Sequence, residues 1–241
     1  MKDCKCRVCV ESKLAKIISR RSSEDKATKP FYRIGIDIVY IVPINEPCWN
    51  NDKYMLQAMD EFTKWHEVVT TRDKSKITLM HWIKSVIRKA QRVFDADRCI
   101  IRSDNERGFG NELVELCLEL GIVFETAAVA APEQNGLAER AGGILTRRAR
   151  AMRLHGKLPK ILANEMYKTS AYILNRTPTE SLGWKTPFEL VFKRKPLVSH
   201  MRPIGCQAYV LNHNIPRGDK TCSRALIGHL VGYQGTNLFR M

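Results

Sequence analysis

No apolar run in this chain approaches the roughly 18 consecutive residues that a membrane-spanning helix needs. Met1 is followed by Lys2, Asp3 and Cys4, which do not begin a secretory signal. The eight cysteines are scattered, mostly within apolar runs, so they predict reduced thiols rather than a disulfide framework. These absences indicate an intracellular protein with no membrane partner.

Histidine is missing from the N-terminal part of the chain. Cys6 and Cys9 form a C-x2-C pair, which is half of a structural zinc site, but the first histidine is His66. Two thiolates leave a tetrahedral zinc ion half-coordinated, so we expect a metal-free tail and no Zn²⁺ in this chain. Residues 10–30 are polar and basic, which is typical of a linker.

Acidic residues are few, because 25 Asp and Glu stand against 40 Lys and Arg. The net charge of +15 and the pI near 9.6 indicate a polyanionic partner, such as a nucleic acid. The alternative is a protein that is merely kept soluble by its charge. The hydrophobic share of 44% and the charged share of 27% are those of a globular protein.

One segment has no acid at all between Arg140 and Lys160. Its pattern predicts a helix over 139–155, and a helix of one charge sign is suited to contact a phosphate backbone. A solvated helix face is the alternative, although such faces usually alternate in charge. The candidate DNA-binding residues on this helix are Arg140, Arg147, Arg148, Arg150 and Arg153.

The remaining patterns predict a mixed sheet with flanking helices. Strands are expected over 33–43, 53–60, 66–71, 98–102 and 122–124, and the short connections between the first three favour an antiparallel meander. Further helices are expected over 75–95, 111–120 and 160–175. Three antiparallel strands followed by alternating helices and strands predict an α/β fold, or an α+β fold with a mixed sheet.

Three acids stand out against this pattern. Asp37 lies inside an apolar strand, Asp104 follows the short apolar run that ends near Arg102, and Glu139 opens the arginine-rich helix. A carboxylate buried among apolar side chains must be paired or must hold a metal. Converging carboxylates are hard oxygen ligands, so these three acids predict a site for Mg²⁺ or Mn²⁺.

The same residues carry a family resemblance. The motif Arg102-Ser-Asp-Asn105 and the motif Gln134-Asn-Gly-Leu-Ala-Glu-Arg140, together with Asp37, resemble the triad of retroviral-type integrases, and most of all the integrase of copia-type LTR retrotransposons. Further matching motifs cover nearly the whole chain. They are Tyr172-Ile-Leu-Asn-Arg-Thr-Pro178, Thr186-Pro-Phe-Glu-Leu190 and Gly205-Cys-Gln-Ala-Tyr209.

The resemblance implies an organisation. Residues 1–30 would be a remnant of a zinc-binding N-terminal region with a basic linker. Residues 31–196 would form a ribonuclease H-like integrase core of five strands with flanking helices. Residues 197–241 would be a partial SH3-like β domain.

The resemblance also implies a function, namely DNA 3′-end processing and strand transfer by a transferase and endonuclease. Asp37 would bridge two metal ions, with Asp104 on one and Glu139 on the other, while Gln134, Asn135 and Arg140 would position DNA. The partners would be element ends and target DNA, with RNA as a further candidate. The chain would act in the nucleus as a homo-oligomer that is cut from a Pol polyprotein.

Departures from the family pattern keep two alternatives open. One residue fewer than usual separates Asp104 from Glu139, the motif after Asp104 reads Asn105-Glu-Arg-Gly-Phe109, and Ile38 stands where a Gly-Pro turn is usual. One alternative is therefore a degenerate relic that binds nucleic acid without catalysis. A ribonuclease H is the other, because the fold is shared, although the sequence motif from Gln134 to Arg140 argues against it.

Overall fold

The computed structural model of the protein describes residues 27–42, 46–94, 99–103, 110–126 and 136–241. The main sheet contains β1 Arg33–Tyr40, β2 Tyr54–Asp60, β3 His66–Thr71, β4 Ile100–Ser103 and β5 Val123–Thr126. The helices are α1 Lys76–Phe94, α2 Gly110–Glu119, α3 Gly136–His155, α4 Ala163–Leu174 and α5 Pro187–Phe192. Two short strand pairs follow, formed by β6 Gln207–Leu211 with β7 Ala225–His229 and by β8 Gly232–Tyr233 with β9 Phe239–Arg240.

Several predictions fall outside the described residues. They concern Cys6, Cys9, Asp104, Gln134 and Asn135. Within the described ranges, no helix is both long enough and apolar enough to cross a membrane. The cysteines there are free thiols, as the scattered spacing predicted, and they are Cys48, Cys99, Cys117, Cys206 and Cys222.

The main sheet is mixed, and its strand order is β3-β2-β1-β4-β5. β1 pairs antiparallel with β2, and β2 pairs antiparallel with β3, whereas β1, β4 and β5 run parallel. The parallel pairs need crossover connections, and α1 and α2 supply them. The predicted five-stranded mixed sheet with flanking helices is thereby confirmed.

The alternation of side chains along β1 assigns one helical layer to each face of the sheet. Ile34 and Ile36 point to one face, where they join a core that includes Leu79 and Ile83 of α1 and Leu113 of α2. Asp37 is one residue out of phase with these isoleucines, so it points to the opposite face. That opposite face is covered by α3.

A second core lies on the α3 side. Leu145 of α3 and Met166 of α4 are both almost fully buried there. Ile204, Leu230 and Tyr233 from the C-terminal segment belong to the same cluster. The C-terminal segment therefore contacts the core through its own apolar side chains, while its assignment to a partial SH3-like domain stays a prediction.

Element boundaries differ from the predicted ones by a few residues. β1 was expected to reach Pro43, but it ends at Tyr40, which pairs with Tyr54 at the start of β2. The ladder ends at that pair. α3 begins at Gly136 rather than at Glu139, so Glu139 lies within the first turn instead of opening the helix. The helix expected over 160–175 is a short 3-10 turn, Lys160–Leu162, followed by α4.

Candidate active site

Asp37 lies in the middle of β1 and is only 9% exposed. Its Oδ1 accepts a hydrogen bond from the backbone N–H of Ile38 at 2.8 Å. Directly across the antiparallel ladder, Gln57 of β2 is its register partner. A carboxylate in an apolar strand thus faces the layer that contains α3, as expected of an acid with a role other than packing.

Gln57 is a residue that the sequence analysis missed. Its side chain is fully buried, and Nε2 lies 2.6 Å from the carbonyl oxygen of Ala138 and 3.4 Å from Asp37 Oδ2. One side-chain amide therefore connects β1, β2 and α3. The sequence contains a signal that could have identified Gln57. It is a polar residue in the apolar stretch of β2, just as Asp37 is a polar residue in β1.

Helix α3 approaches β1 closely because small residues line its inner face. The Cβ atom of Ala138 would lie 3.4 Å from a Cβ atom built on Gly35. A Cβ atom on Gly142 would lie 3.3 Å from both Asp37 Oδ2 and Gln57 Nε2. The first turns of α3 therefore lie directly against Asp37, at a distance that larger side chains would not allow.

Glu139 follows Ala138 in the first turn of α3, and its side chain is exposed. An acid in the first turn of a helix is favoured by the positive end of the helix dipole. Asp37 thus lies in the sheet, and Glu139 lies in the first turn of the helix that packs against the sheet.

Asp104, the third predicted acid, lies outside the described residues. The residue before it, Ser103, ends β4, which runs parallel to β1 with Arg102 opposite Gly35. Within the described ranges, no group of three or more His, Cys, Asp or Glu side chains could hold a metal ion. The two described acids offer hard oxygen ligands of the kind that Mg²⁺ and Mn²⁺ prefer, so the chemistry of the donors fits these ions.

The arginines of α3 do not all face the same way. With about 100° of rotation per residue, Arg150 lies about 20° from Glu139 around the helix axis, whereas Arg147 and Arg140 lie about 80° and about 100° away. All three arginines are exposed. Arg148 is half-buried, and its charge acts on buried His66. Arg153 is also half-buried and donates a hydrogen bond to the carbonyl of Leu158 at 3.2 Å.

Another acid of the sheet, at the end of β2, has a structural role. Asp60 is 1% exposed and accepts hydrogen bonds from the backbone N–H groups of Phe31 and Thr63 and from the hydroxyl of Thr63. Burial raises the pKa of the Asp60 carboxyl, although these hydrogen bonds act in the opposite direction. Asp60 closes the turn after β2 and is saturated by those donors, so it is not a candidate ligand.

Comparisons with known proteins show what the chain is similar to in sequence. No family model matches the chain. It is 26% identical over 222 residues, 90% of its length, to the retrovirus-related Pol polyprotein from transposon TNT 1-94 of Nicotiana tabacum. It is 26% identical over 208 residues, 85% of its length, to the retrovirus-related Pol polyprotein from transposon RE1 of Arabidopsis thaliana. The matched segments are 16% and 13% of those polyproteins, so the chain spans a small part of their length.

Solved structures show the same fold. The simian T-cell lymphotropic virus intasome in complex with PP2A regulatory subunit B56 gamma matches with a TM-score of 0.61 at 17% identity, over 93% of this chain and 76% of that one. The HTLV-2 integrase catalytic core domain in complex with magnesium, in its trimeric form, matches with a TM-score of 0.51 at 17% identity, over 69% of this chain and 99% of that one.

Sequence similarity and fold agree with each other. The chain is similar to one segment of the retrovirus-related Pol polyproteins of plant transposons, and its fold is the ribonuclease H-like fold of retroviral integrase catalytic cores.

Proposed function

We propose that the chain is the catalytic core of a retrotransposon integrase that transfers DNA strands with the help of two divalent metal ions. The observation that carries the proposal is the position of α3 against β1, where Gln57 bonds to Asp37 and to the carbonyl just before Glu139. This arrangement supports a shared site for Asp37 and Glu139, which are distant in sequence. Three arginines of α3 are also exposed, namely Arg140, Arg147 and Arg150.

The candidate acids have a common proposed role, which is to hold the metal ions. Asp37, Glu139 and, by the family pattern, Asp104 would hold the ions. Bound Mg²⁺ or Mn²⁺ would stabilise the attacking and leaving oxygens of an in-line displacement at phosphorus. The attacking 3′-hydroxyl loses its proton as its oxygen bonds to phosphorus, and the displaced 3′-oxygen takes up a proton as it leaves.

The exposed arginines of α3 would hold the DNA backbone. Glu139 and Arg150 are eleven residues apart, which corresponds to about 16 Å along the helix. Contacts with phosphates fix the position of a duplex and carry little sequence information, so weak target preference is expected. Gln134, Asn135 and Arg140 are proposed to position DNA close to the reacting phosphate.

The proposal extends to the partners and the location of the chain. Element ends and target DNA are the proposed substrates, which implies that the chain acts in the nucleus. One of the similar solved structures is an intasome, and another is a trimeric integrase core. We therefore propose that this chain works as a homo-oligomer released from a longer polyprotein, as its similarity to Pol polyproteins suggests.

The first prediction tests catalysis. We expect Glu139→Gln to reduce strand transfer in Mg²⁺ or Mn²⁺ roughly 100-fold or more, because an amide is a poorer metal ligand than a carboxylate. The measurement is the joining of a labelled duplex end to target DNA. The control is Glu115→Gln, which changes an exposed glutamate of α2 that packs on the other face of the sheet.

The outcomes separate the proposal from its alternatives. Transfer by the parent and by Glu115→Gln, with loss in Glu139→Gln, supports the integrase. DNA binding without transfer in the parent rejects it and identifies a relic that only binds nucleic acid. Cleavage of the RNA strand of a hybrid, without strand transfer, identifies a ribonuclease H.

A further inference from the structure

The side-chain amide of Gln57 has an orientation that its surroundings determine. Both neighbours, Asp37 Oδ2 and the carbonyl oxygen of Ala138, are hydrogen-bond acceptors. Only the NH₂ end of the amide can face two acceptors, so the assignment of nitrogen and oxygen does not depend on convention. The two N–H groups are thus directed at a strand and at a helix.

The carbonyl end of the same amide has a less favourable environment. Gln57 is fully buried, and its Oε1 has no hydrogen-bond partner among the described residues. A buried acceptor without a partner costs about 1–3 kcal/mol. The neighbours of Gln57 in β2 are Leu56 and Ala58, and an apolar residue would fill the same space without this cost. Stability alone therefore does not explain the glutamine.

The partners of the amide suggest what it does instead. One hydrogen bond reaches the carboxylate of Asp37, and the other reaches the carbonyl of the residue that precedes Glu139. A single rigid planar group thereby connects the β1 acid to the backbone of the α3 turn that carries Glu139. Gly142 permits this arrangement, since its missing side chain leaves room beside both Asp37 and Gln57.

We infer that Gln57 is a positioning residue that fixes Asp37 relative to Glu139 and so prepares the two carboxylates to bind a divalent cation. The inference rests on the proposed function, because it takes these acids as metal ligands. Gln57 touches neither substrate nor metal in this account. It acts through the ligands, as partners of ligating side chains generally do, and the loss of such partners typically weakens metal affinity about 10- to 100-fold.

The test uses the full chain and Mn²⁺ as the probe. Gln57→Met keeps the length of the side chain and removes the amide, and Gln57→Asn keeps an amide that is one methylene shorter. The control is Met55→Leu, which changes a fully buried residue of the same strand that belongs to the second core. Titration calorimetry measures Mn²⁺ affinity, thermal unfolding without metal measures stability, and strand transfer is followed as a function of Mn²⁺ concentration.

Both Gln57 variants are expected to bind Mn²⁺ at least about 10-fold more weakly than the parent, and to need correspondingly more Mn²⁺ for half-maximal transfer. Met55→Leu is expected to bind Mn²⁺ like the parent. The inference is overturned if the Gln57 variants have lower unfolding temperatures but the parent's Mn²⁺ affinity, or if neither variant folds, because the amide is then structural.

Failure of the inference and failure of the proposed function give different results. A parent that binds Mn²⁺ but transfers no DNA rejects the proposed function, and the affinities of the variants still decide the role of Gln57. A parent that transfers DNA while the Gln57 variants keep its Mn²⁺ affinity rejects the inference alone. A parent without Mn²⁺ binding rejects both.

Discussion

Three buried polar side chains on the α3 side of the sheet have different reasons to be there. Asp37 is a candidate ligand, Gln57 bonds to it, and His66 at the start of β3 has a structural position. The backbone N–H and C=O of His66 bond to the side-chain amide of Asn175, both at 2.8 Å. These three residues share their burial but not their role. The reason for each polar side chain must therefore be found in its own hydrogen-bond partners.

His66 predicts a pH dependence of stability. Burial lowers its pKa from 6.5 to about 4, and the charges of Arg148 and Lys64 act in the same direction. Between these two pH values the unfolded chain binds more protons than the folded protein, so the free energy of unfolding falls as the pH is lowered. The full loss below pH 4 would be on the order of 3 kcal/mol.

The measurement is denaturant unfolding of the parent and of His66→Gln at pH 7 and pH 4.5. The variant lacks the titrating ring, so it is expected to lose less stability on acidification than the parent. His81→Gln, which changes an exposed histidine of α1, is expected to behave like the parent. Equal losses in the parent and in His66→Gln would contradict the prediction.

At the scale of the element, the two faces of α3 require side chains of different size and polarity. The inner face needs small side chains, because Ala138, Ala141 and Gly142 allow the helix to lie against β1. The outer face carries exposed arginines, whose long side chains reach solvent. Glycine weakens a helix by about 1 kcal/mol relative to alanine, so a glycine pair at 142 and 143 needs a reason.

Only one of the two glycines has such a reason in the packing. A Cβ atom on Gly142 would lie 3.3 Å from Asp37 Oδ2, whereas one on Gly143 would meet only the Arg147 guanidinium, at 3.7 Å. We expect Gly143→Ala to raise the free energy of unfolding by up to about 1 kcal/mol. Gly142→Ala is expected to gain less than Gly143→Ala or to lose stability, and to reduce strand transfer, because it displaces Asp37.

Both variants carry a glycine-to-alanine substitution, at adjacent positions of one helix. The change in helix propensity is therefore the same in both. Chemical denaturation gives the two free energies of unfolding, and the strand-transfer assay gives the activities. An equal gain in stability at both positions, with full activity in both variants, would contradict the close approach of α3 to Asp37.

At the scale of the whole molecule, the sheet separates a face with an apolar core under α1 and α2 from a face that presents the candidate site. The net charge of +15 does not say by itself which face meets a polyanion. Exposed arginines lie on α3, and α1 packs on the opposite face of the sheet, so the proposed function assigns the polyanion to the α3 face.

The distribution of charge gives a further prediction. The double variant Arg147→Gln/Arg150→Gln is expected to weaken DNA binding and to reduce the slope of log K against log salt by about 2, since each phosphate contact contributes about 0.9. A single Arg88→Gln change on α1, at an exposed position, is expected to have little effect. Fluorescence anisotropy with a labelled duplex at several salt concentrations gives both slopes.

An unchanged slope in the double variant would show that DNA binds elsewhere on the molecule. A large effect of Arg88→Gln would point to the α1 face instead.

Much of the architecture follows from local patterns. Ile34 and Ile36 alternate with the residues of the other face, and the spacing of Leu79 and Ile83 is helical, so β1 and α1 were predictable from periodicity. Exceptions to the pattern were also informative, because Asp37 was identified as an acid within an otherwise apolar strand. The ends of the strands were less predictable from local patterns. The end of β1 at Tyr40, for example, is set by the last residue that pairs with β2.

The sequence by itself determined the class of fold, the family motifs, the positive charge and the identity of the candidate acids, because all of these are properties of single residues or of their local spacing. Only the tertiary structure decided which face Asp37 shares with α3, which arginines remain exposed, and that Gln57 joins the two. Ala138 and Gln57 are 81 residues apart in the chain. A contact over that separation depends on how a helix packs on a sheet, which no local pattern encodes.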